Sequence, residues 1–320
     1  MSTTITNRQE ILFLYEAKDC NPNGDPLDEN RPRTDAETGE ATVTDVRIKR
    51  TIRDYLFKEK NMEILIRDTF EKDGSLKDGK GRCNDFIAQC GAAANAKLPE
   101  LIQAVSQLIL EKCIDARLFG ATLPVAKGSI KITGPAQFSA FNRSLHRVSP
   151  VFIQQTAAFA SKKGKMQKSF AERWLLPYAI IGAYGVINET AAKSTNLSGQ
   201  DVNLLLEGLW NGTNSLNTHS KMGHQSLLLL RLRHEPGHRI GALAERIKLQ
   251  SGKEDTALRK TADYTIDISG LLSAIARAGK TIVSVDFIQD ERLQLTADGH
   301  EGNFFELAGQ NKITATPLDL

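Results

Sequence analysis

Apolar residues recur with strand or helix spacing in six stretches of the chain, and their order sets out a fold. Residues 11–17 (ILFLYEA) form a short apolar and aromatic run that predicts a buried strand. After Thr44, residues Ile48, Ile52, Tyr55 and Leu56 follow helical spacing, which predicts a helix capped by Thr44 with Asp45 favourably placed in its first turn. Residues 129–141 (SIKITGPAQFSAF) alternate, predicting a strand broken at Gly134-Pro135, where proline cannot donate to a ladder. Residues 177–187 (PYAIIGAYGVI) predict another strand. Val202, Leu205, Leu206 and Leu209 then share one face of a helix that runs from an N-cap at Ser198 through Trp210, and 226–233 (SLLLLRLR) read as a strand. The order strand, helix, strand, strand, helix, strand is the split β-α-β-β-α-β unit of ferredoxin-like and RNA-recognition folds, an α+β architecture.

Two inserts interrupt that unit. Residues 61–115 read as mainly helical: Met62–Phe70 is amphipathic, 73–81 is a loop, and Asp85–Ala96 and Glu100–Asp115 are apolar at helical spacing. Residues 142–176 are polar and basic and separate two strands that a tight hairpin would ordinarily join, so they predict a protruding arm. The expected organisation is a core from 1–60, 116–141 and 177–320, a helical block at 61–115 and an arm at 142–176. Within the last core part, Ile282–Ile288 and Tyr264–Ile268 predict additional strands. No internal repeat of fixed period is present.

Charge sharpens this picture. From Ala116 to Ala171 there is no Asp or Glu but nine Lys or Arg: Arg117, Lys127, Lys131, Arg143, Arg147, Lys162, Lys163, Lys165 and Lys168. The whole chain carries only +3, so the remaining residues sum to −6 and the positive field belongs to one region. Six of the thirteen Phe fall in the same stretch, and basic residues interleaved with aromatics suit a surface that holds phosphates and stacks or wedges bases. On the first helix Lys49 and Arg53 stand one turn apart, while Arg50 has Asp54 four residues on. The loop at 19–45 is the reverse, with eight carboxylates against two Arg and the turn-forming run Asn21-Pro22-Asn23-Gly24-Asp25-Pro26. Its acids match no EF-hand spacing.

Catalytic motifs are sparse. His234 to His238 enclose Glu-Pro-Gly, a turn rather than a zinc-binding helix, and neither G-x-S-x-G nor G-x-x-x-x-G-K-[ST] occurs. His146, between Arg143 and Arg147, is placed to act as a general base on an RNA 2′-hydroxyl or as a plain contact. The four Cys form no C-x-x-C pair and read as reduced thiols. There is no run of ~18 apolar residues and the first ten residues are not signal-like, which predicts a cytoplasmic protein.

Several motifs together resemble one family. N-P-N-G-D-P after a strand, V-T-D-V-R-I-K-R-T-I-R-D-Y-L at Val43–Leu56, G-P-A-Q-F-S at Gly134–Ser139, R-S-L-H at Arg143–His146 and P-Y at Pro177 are similar to the backbone subunits of type I CRISPR Cascade complexes, of the RAMP superfamily and nearest the I-B branch. The likeness weakens after about Leu249. It implies a right-hand shape, with an RNA-recognition-like palm, helical fingers from 61–115 and a β-arm as thumb. It further implies a non-catalytic protein without cofactors, whose partners are guide RNA (crRNA), a target DNA strand through guide pairing, copies of itself in a head-to-tail helix, and other Cascade subunits.

On that likeness Lys49, Arg50 and Arg53 would face guide phosphates from the palm, and Arg143, His146 and Arg147 would hold backbone at the root of the arm. Lys162, Lys163, Lys165 and Lys168 would follow the guide along the thumb, with Phe152, Phe159 and Met166 as candidate wedges. Asn21 and Asn23 would offer amide contacts. Related type III subunits cut RNA with a loop Asp, for which either Asp25 or Asp28 would be the counterpart here. An RNA endonuclease of this fold, using His146 or a loop Asp, and a stand-alone RNA-binding module are the alternatives.

Overall fold

A computed structural model describes residues 3–91, 96–125, 128–160 and 168–320, with the backbone alone at 155–160 and 168–171. Strand β1 (Arg8–Cys20) leads into a loop carrying the short ladder of β2 (Gly24–Asp25) and β3 (Arg31–Pro32), then β4 (Glu40–Thr44) and α1 (Asp45–Lys58). Helices α2 (Gly79–Ile87), α3 (Leu98–Lys112) and α4 (Ile114–Phe119) precede β5 (Gly120–Val125), β6 (Gly128–Thr133), β7 (Ala136–Phe138), β8 (Phe141–Arg147), β9 (Val151–Ala160) and β10 (Lys168–Ile187). Next come α5 (Glu189–Thr195), α6 (Gly199–Asn214) and β11 (His224–His234). The C-terminal part holds β12 (Lys248–Gln250), β13 (Thr265–Asp267), α7 (Ser269–Ala278), β14 (Ile282–Gln289), β15 (Leu295–Ala297), β16 (His300–Gly302), α8 (Phe304–Gln310) and β17 (Ala315–Pro317).

The main sheet has the order β17-β14-β11-β1-β10-β8-β4, with β7 and β9 also paired to β10. Strand β1 lies in its middle, antiparallel to both neighbours, with Phe13 opposite Ala183 on β10 and Leu229 on β11. Its side chains alternate between two cores. Ile11, Phe13, Tyr15 and Ala17 pack with Ile48, Ile52 and Leu56 of α1 and Val202, Leu205 and Leu209 of α6. Leu12 and Leu14 face the other way, with Ile180, Leu228 and Leu230, toward Leu271 and Leu272 of α7 and Phe304 and Leu307 of α8. A strand covered on both faces needs apolar residues at nearly every position, which is why 11–17 read as an unbroken run. Neither face of the sheet is left open at its centre.

Both predicted helix caps are present: Thr44 Oγ1 accepts from Arg47 N at 3.3 Å, and Ser198 and Asp201 form a reciprocal capping box on α6. The predicted strands at Ile282–Ile288 and Tyr264–Ile268 correspond to β14 and β13.

Three expectations are corrected. Residues 129–141 are not one strand of the main sheet, because β6 pairs only with β5 while β7 and β8 lie along β10. The chain turns from α4 into the β5–β6 hairpin at Gly120 (φ +72°), where an added Cβ would fall 2.2 Å from Ile132 O, and enters the main sheet past Gly134-Pro135. The β5–β6 hairpin packs Leu123, Val125 and Ile130 with Phe86, Val105 and Ile109, a third core shared with α2 and α3. Second, Met62–Phe70 is not helical; the Leu65 and Ile66 amides donate to Asp115 at 2.7 and 3.2 Å, and α2 starts at Gly79, within the predicted loop, capped by Asp78. Third, residues 177–187 are the end of a twenty-residue strand, whose earlier half pairs with β9 to make the arm. Residues 142–147 belong to the sheet. Among the described residues no helix is long and apolar enough to cross a membrane.

Where the C-terminal part meets β1, a buried carboxylate holds the junction. Glu10 accepts from the Tyr184 hydroxyl at 2.5 Å and from the amides of Ile240 and Gly241 at 2.6 and 2.7 Å, and His234 Nε2 lies 2.8 Å away. Burial alone would raise its pKa, but these donors prevail and hold it at about 2. A depressed carboxylate pKa stabilises the fold above the unfolded value and loses that contribution as pH falls through the folded one. Stability is therefore expected to drop between about pH 4.5 and 2, by on the order of 3 kcal/mol from this group. Acid titration of the unfolding free energy checks this: Glu10→Gln is expected to flatten the pH dependence in that window, and an unchanged profile would refute the assignment.

Candidate nucleic-acid interface

With both sheet faces covered, a ligand as long as a nucleic acid must be met at the ends and rims. One end is distinctive. There the end of β1, the 19–33 loop, the start of α1, the root of the β9–β10 arm and the 215–224 turn come together.

The loop is built from its own amides. Asn21 is buried, donates to Asn30 O at 2.6 Å and receives Lys221 Nζ on its carbonyl. Asn23 Oδ1 accepts from both Thr44 N (3.2 Å) and Thr44 Oγ1 (3.0 Å), so it fixes the residue that caps α1. Of these side chains, expected as contacts, Asn23 ties the loop to the helix, while Asn21 braces the loop itself through Asn30 and keeps a buried Oδ1 without a hydrogen-bond partner.

Four cations at this end have no carboxylate in ion-pair range among the described residues: Arg31, Arg47, Arg173 and Lys221. Arg31 lies over the Trp174 ring at 4.8 Å, and Phe152, the cross-strand partner of Trp174, tilts against the same ring at 5.2 Å while remaining 45% exposed. Arg173 Nη1 sits 2.8 Å from His219 Nε2. Arg47 donates to Thr51 Oγ1 at 2.9 Å. Burial, with Arg47 nearby, lowers the Lys221 ammonium to about 8, so it keeps its charge at neutral pH. Neighbouring His224 is buried and pushed down to about 3, hence neutral. Arg47, Arg173 and Lys221 are half-buried, and cations so placed without counter-ions cost free energy unless an anion arrives; with the exposed Arg31 beside them, this rim is an anion-seeking surface.

The predicted cations on α1 are placed differently. Lys49 pairs with Asp45 (2.9 Å) and Gln137 Oε1 (2.8 Å), an i−4 partner that looking only forward along the helix misses. Arg50 pairs with Asp54 at 2.8 Å as its spacing predicts. Arg53 is buried against Asp115 at 2.9 Å. Lys49 and Arg53 do share a face, but it turns toward the ring of Phe119, at 5.7 and 5.1 Å.

At the arm root, Arg143 is exposed and pairs with Asp35 (2.6 Å) and Glu40 (3.5 Å), and the Arg147 amide donates to Asp255. The Arg143 hydrogen bond holds the Asp35 carboxyl down at about 2. His146 is buried, with Nδ1 2.8 Å from Arg147 O and its ring stacked on Tyr178; burial lowers its pKa, so the imidazole is neutral and turned inward. A general base acting on bound RNA needs reach to the hydroxyl, which this placement denies it. Asp25 pairs with Arg33 at 3.0 Å and caps the turn at Leu27 N, while Asp28 is exposed. A cleft of about 740 Å³ between loop and arm root is bordered by Asp28, Arg31, Asp35, Phe141 and Arg143. Lys162, Lys163, Lys165 and Met166, and the side chains of Phe159 and Lys168, lie outside the described residues.

Over residues 7–269 the chain matches the family described as CRISPR-associated protein Cas7. A Haloferax volcanii protein, "CRISPR-associated protein Cas7", is 30% identical over 313 residues, covering 91% of this chain and 89% of that protein. A chain of a solved "CRISPR RNA-guided surveillance complex, pre-nicking" shares the fold, with a TM-score of 0.56 at 12% identity across 95% of this chain and 99% of its own. With more than three quarters of its length inside one family, bearing a basic arm above a cationic rim, this chain belongs to the Cas7 family of CRISPR-associated proteins.

Proposed function

We propose that the protein is the non-catalytic guide-RNA-binding backbone subunit of a type I CRISPR surveillance complex, of the I-B branch, whose copies stack head-to-tail along one guide and present it to a target DNA strand. The observation that carries this reading is the acid-free stretch at 116–171, which supplies most of an arm continuous with β10 and rising from a rim where Arg31, Arg47, Arg173 and Lys221 lack carboxylate partners among the described residues. Such a surface grips phosphate without reading sequence, which is what a subunit repeated along a guide requires. In this reading the set β11-β1-β10-β8 with α1 and α6 is an RNA-recognition-like palm closed on its second face by the C-terminal part. The α2–α3 core with the β5–β6 hairpin forms the fingers, and β9–β10 the thumb. A heterologous contact that does not close on itself propagates as a helix.

Arg31, Arg47, Arg173 and Lys221 hold guide phosphates at the palm rim, with Arg143 and Arg147 beside them and the arm lysines beyond. The endonuclease alternative has little to stand on, given a neutral, inward His146 and an Asp25 already paired.

The test is to mix purified protein with RNAs of increasing length, with and without Mg²⁺, and to follow particle length by electron microscopy and RNA integrity by gel. Particles are expected to lengthen with the RNA while the RNA stays whole. Particles of constant size would leave a single-site RNA binder, and Mg²⁺-dependent cleavage would leave a nuclease. At the level of one residue, Arg31→Gln is expected to weaken binding equally for unrelated sequences and to reduce the salt slope of log K by about 0.7. A sequence-dependent loss would place Arg31 on base edges instead.

A further inference from the structure

At the opposite end of β1 from the arm, a second cleft of about 360 Å³ opens between the N-terminal segment, the start of α6 and the end of β11. Its lining includes Thr3, Thr4, Thr6, Gln9, Arg231 and Arg233. Arg231 and Arg233 are two apart on β11 and so point to the same face. They share one acid: Asp286 Oδ2 lies 2.8 Å from Arg231 Nε and 3.6 Å from Arg233 Nε. One carboxylate for two guanidiniums leaves a net positive charge. Arg231 continues to Asn203 Oδ1 at 3.3 Å and Arg233 to Ser284 Oγ at 2.6 Å. Directly opposite Arg233 in the ladder stands Gln9, 4% exposed, whose Oε1 has no hydrogen-bond partner. Its amide can turn over without steric cost and offer a donor in the same place. Gly199 opens α6 with nothing within 4 Å of where a Cβ would stand, so the helix start is uncovered on that side.

We propose that this cleft is a binding site for a phosphate group, separate from the arm and its rim. A buried amide with an unmet partner, a guanidinium pair short of one negative charge and three threonines converge from different elements. A tetrahedral anion, with oxygens in every direction, answers all of them, whereas a planar carboxylate answers two donors from one side. The inference does not depend on the function proposed above, since it concerns residues at the other end of the sheet. The phosphate has two possible sources, free inorganic phosphate and the backbone of a nucleic-acid strand.

The full chain is titrated with sodium phosphate at constant ionic strength and followed by calorimetry. Saturable binding at one site is expected, weakened about tenfold in Arg233→Gln and unchanged in Lys312→Gln, a surface control. Arg233→Gln leaves the Arg231–Asp286 pair intact, so the fold is retained. Thr6→Glu, which sets a carboxylate at the exposed mouth, is a second variant expected to weaken phosphate binding without touching that pair. A short oligothymidylate that displaces phosphate from the wild type identifies the source as a strand backbone; one that does not identifies it as free phosphate. Binding that never saturates, or that is equal in wild type and both variants, overturns the proposal. So does a wild type blind to phosphate whose self-association falls in Arg233→Gln, since the site would then receive a neighbouring copy's carboxylate.

Discussion

Asp115→Ala is expected to lower the unfolding free energy by about 3–5 kcal/mol, the cost of leaving a buried charge without its partner. Asp115 is fully buried and answers three donors: Arg53 Nε at 2.9 Å and the amides of Leu65 and Ile66. It ties α1 to the irregular segment at 61–77, and so joins the helical insert to the sheet. Its removal strands a guanidinium and two amides where water does not reach. Arg50→Ala, which breaks only the exposed pair with Asp54, is expected to change stability by no more than about 0.5 kcal/mol. Urea midpoints for the two variants make the comparison, and a loss below about 1 kcal/mol for Asp115→Ala would show that the junction is solvated. The same result decides what Arg53 does, because a cation committed to that carboxylate is structural and not free for a guide phosphate.

Reversing Lys162, Lys163, Lys165 and Lys168 to Glu is expected to weaken RNA binding at 0.15 M salt by about a hundredfold or more. The salt slope of log K is expected to shrink by about 3, from roughly 0.7 per lost contact on a single strand. Affinity measured by filter binding between 0.05 and about 0.3 M salt reads both quantities, with a thermal melt confirming that the fold persists. The slope is the decisive part. A fall in affinity with the slope intact would mean that the arm acts by shape, and no change in either would remove the arm from the interface.

How much of this was legible beforehand differs by element. Strands β1, β10 and β11 and helices α1 and α6 follow from local spacing because each presents a repeating apolar face, and the two caps at Thr44 and Ser198 are local hydrogen bonds. The predicted strand at 129–141 divides between two sheets because alternation says that a segment is extended, not which sheet it joins; Gly120 and Gly134 decide that through a close backbone crossing. The segment at 62–70 has helical spacing, yet a carboxylate fifty residues away takes two of its amides. The site divides in the same manner. The arm stands out in one dimension because charge is additive along a sequence. Arg47 and Lys221 do not, since being unpaired is a property of the tertiary neighbourhood, and His146 looked available only because burial has no signature in R-S-L-H.

The main sheet ends on one side at β4, five residues long, and on the other at β17, three residues closing in Pro317. Outside the β9–β10 arm, neither of these margins offers much free backbone for an incoming chain to zip onto, and the proline withholds a donor besides. In the head-to-tail assembly proposed above, many duplicates at high local density would otherwise court runaway cross-β growth. Blunt margins leave side chains to choose the neighbour, so that assembly can stay ordered, soluble and reversible.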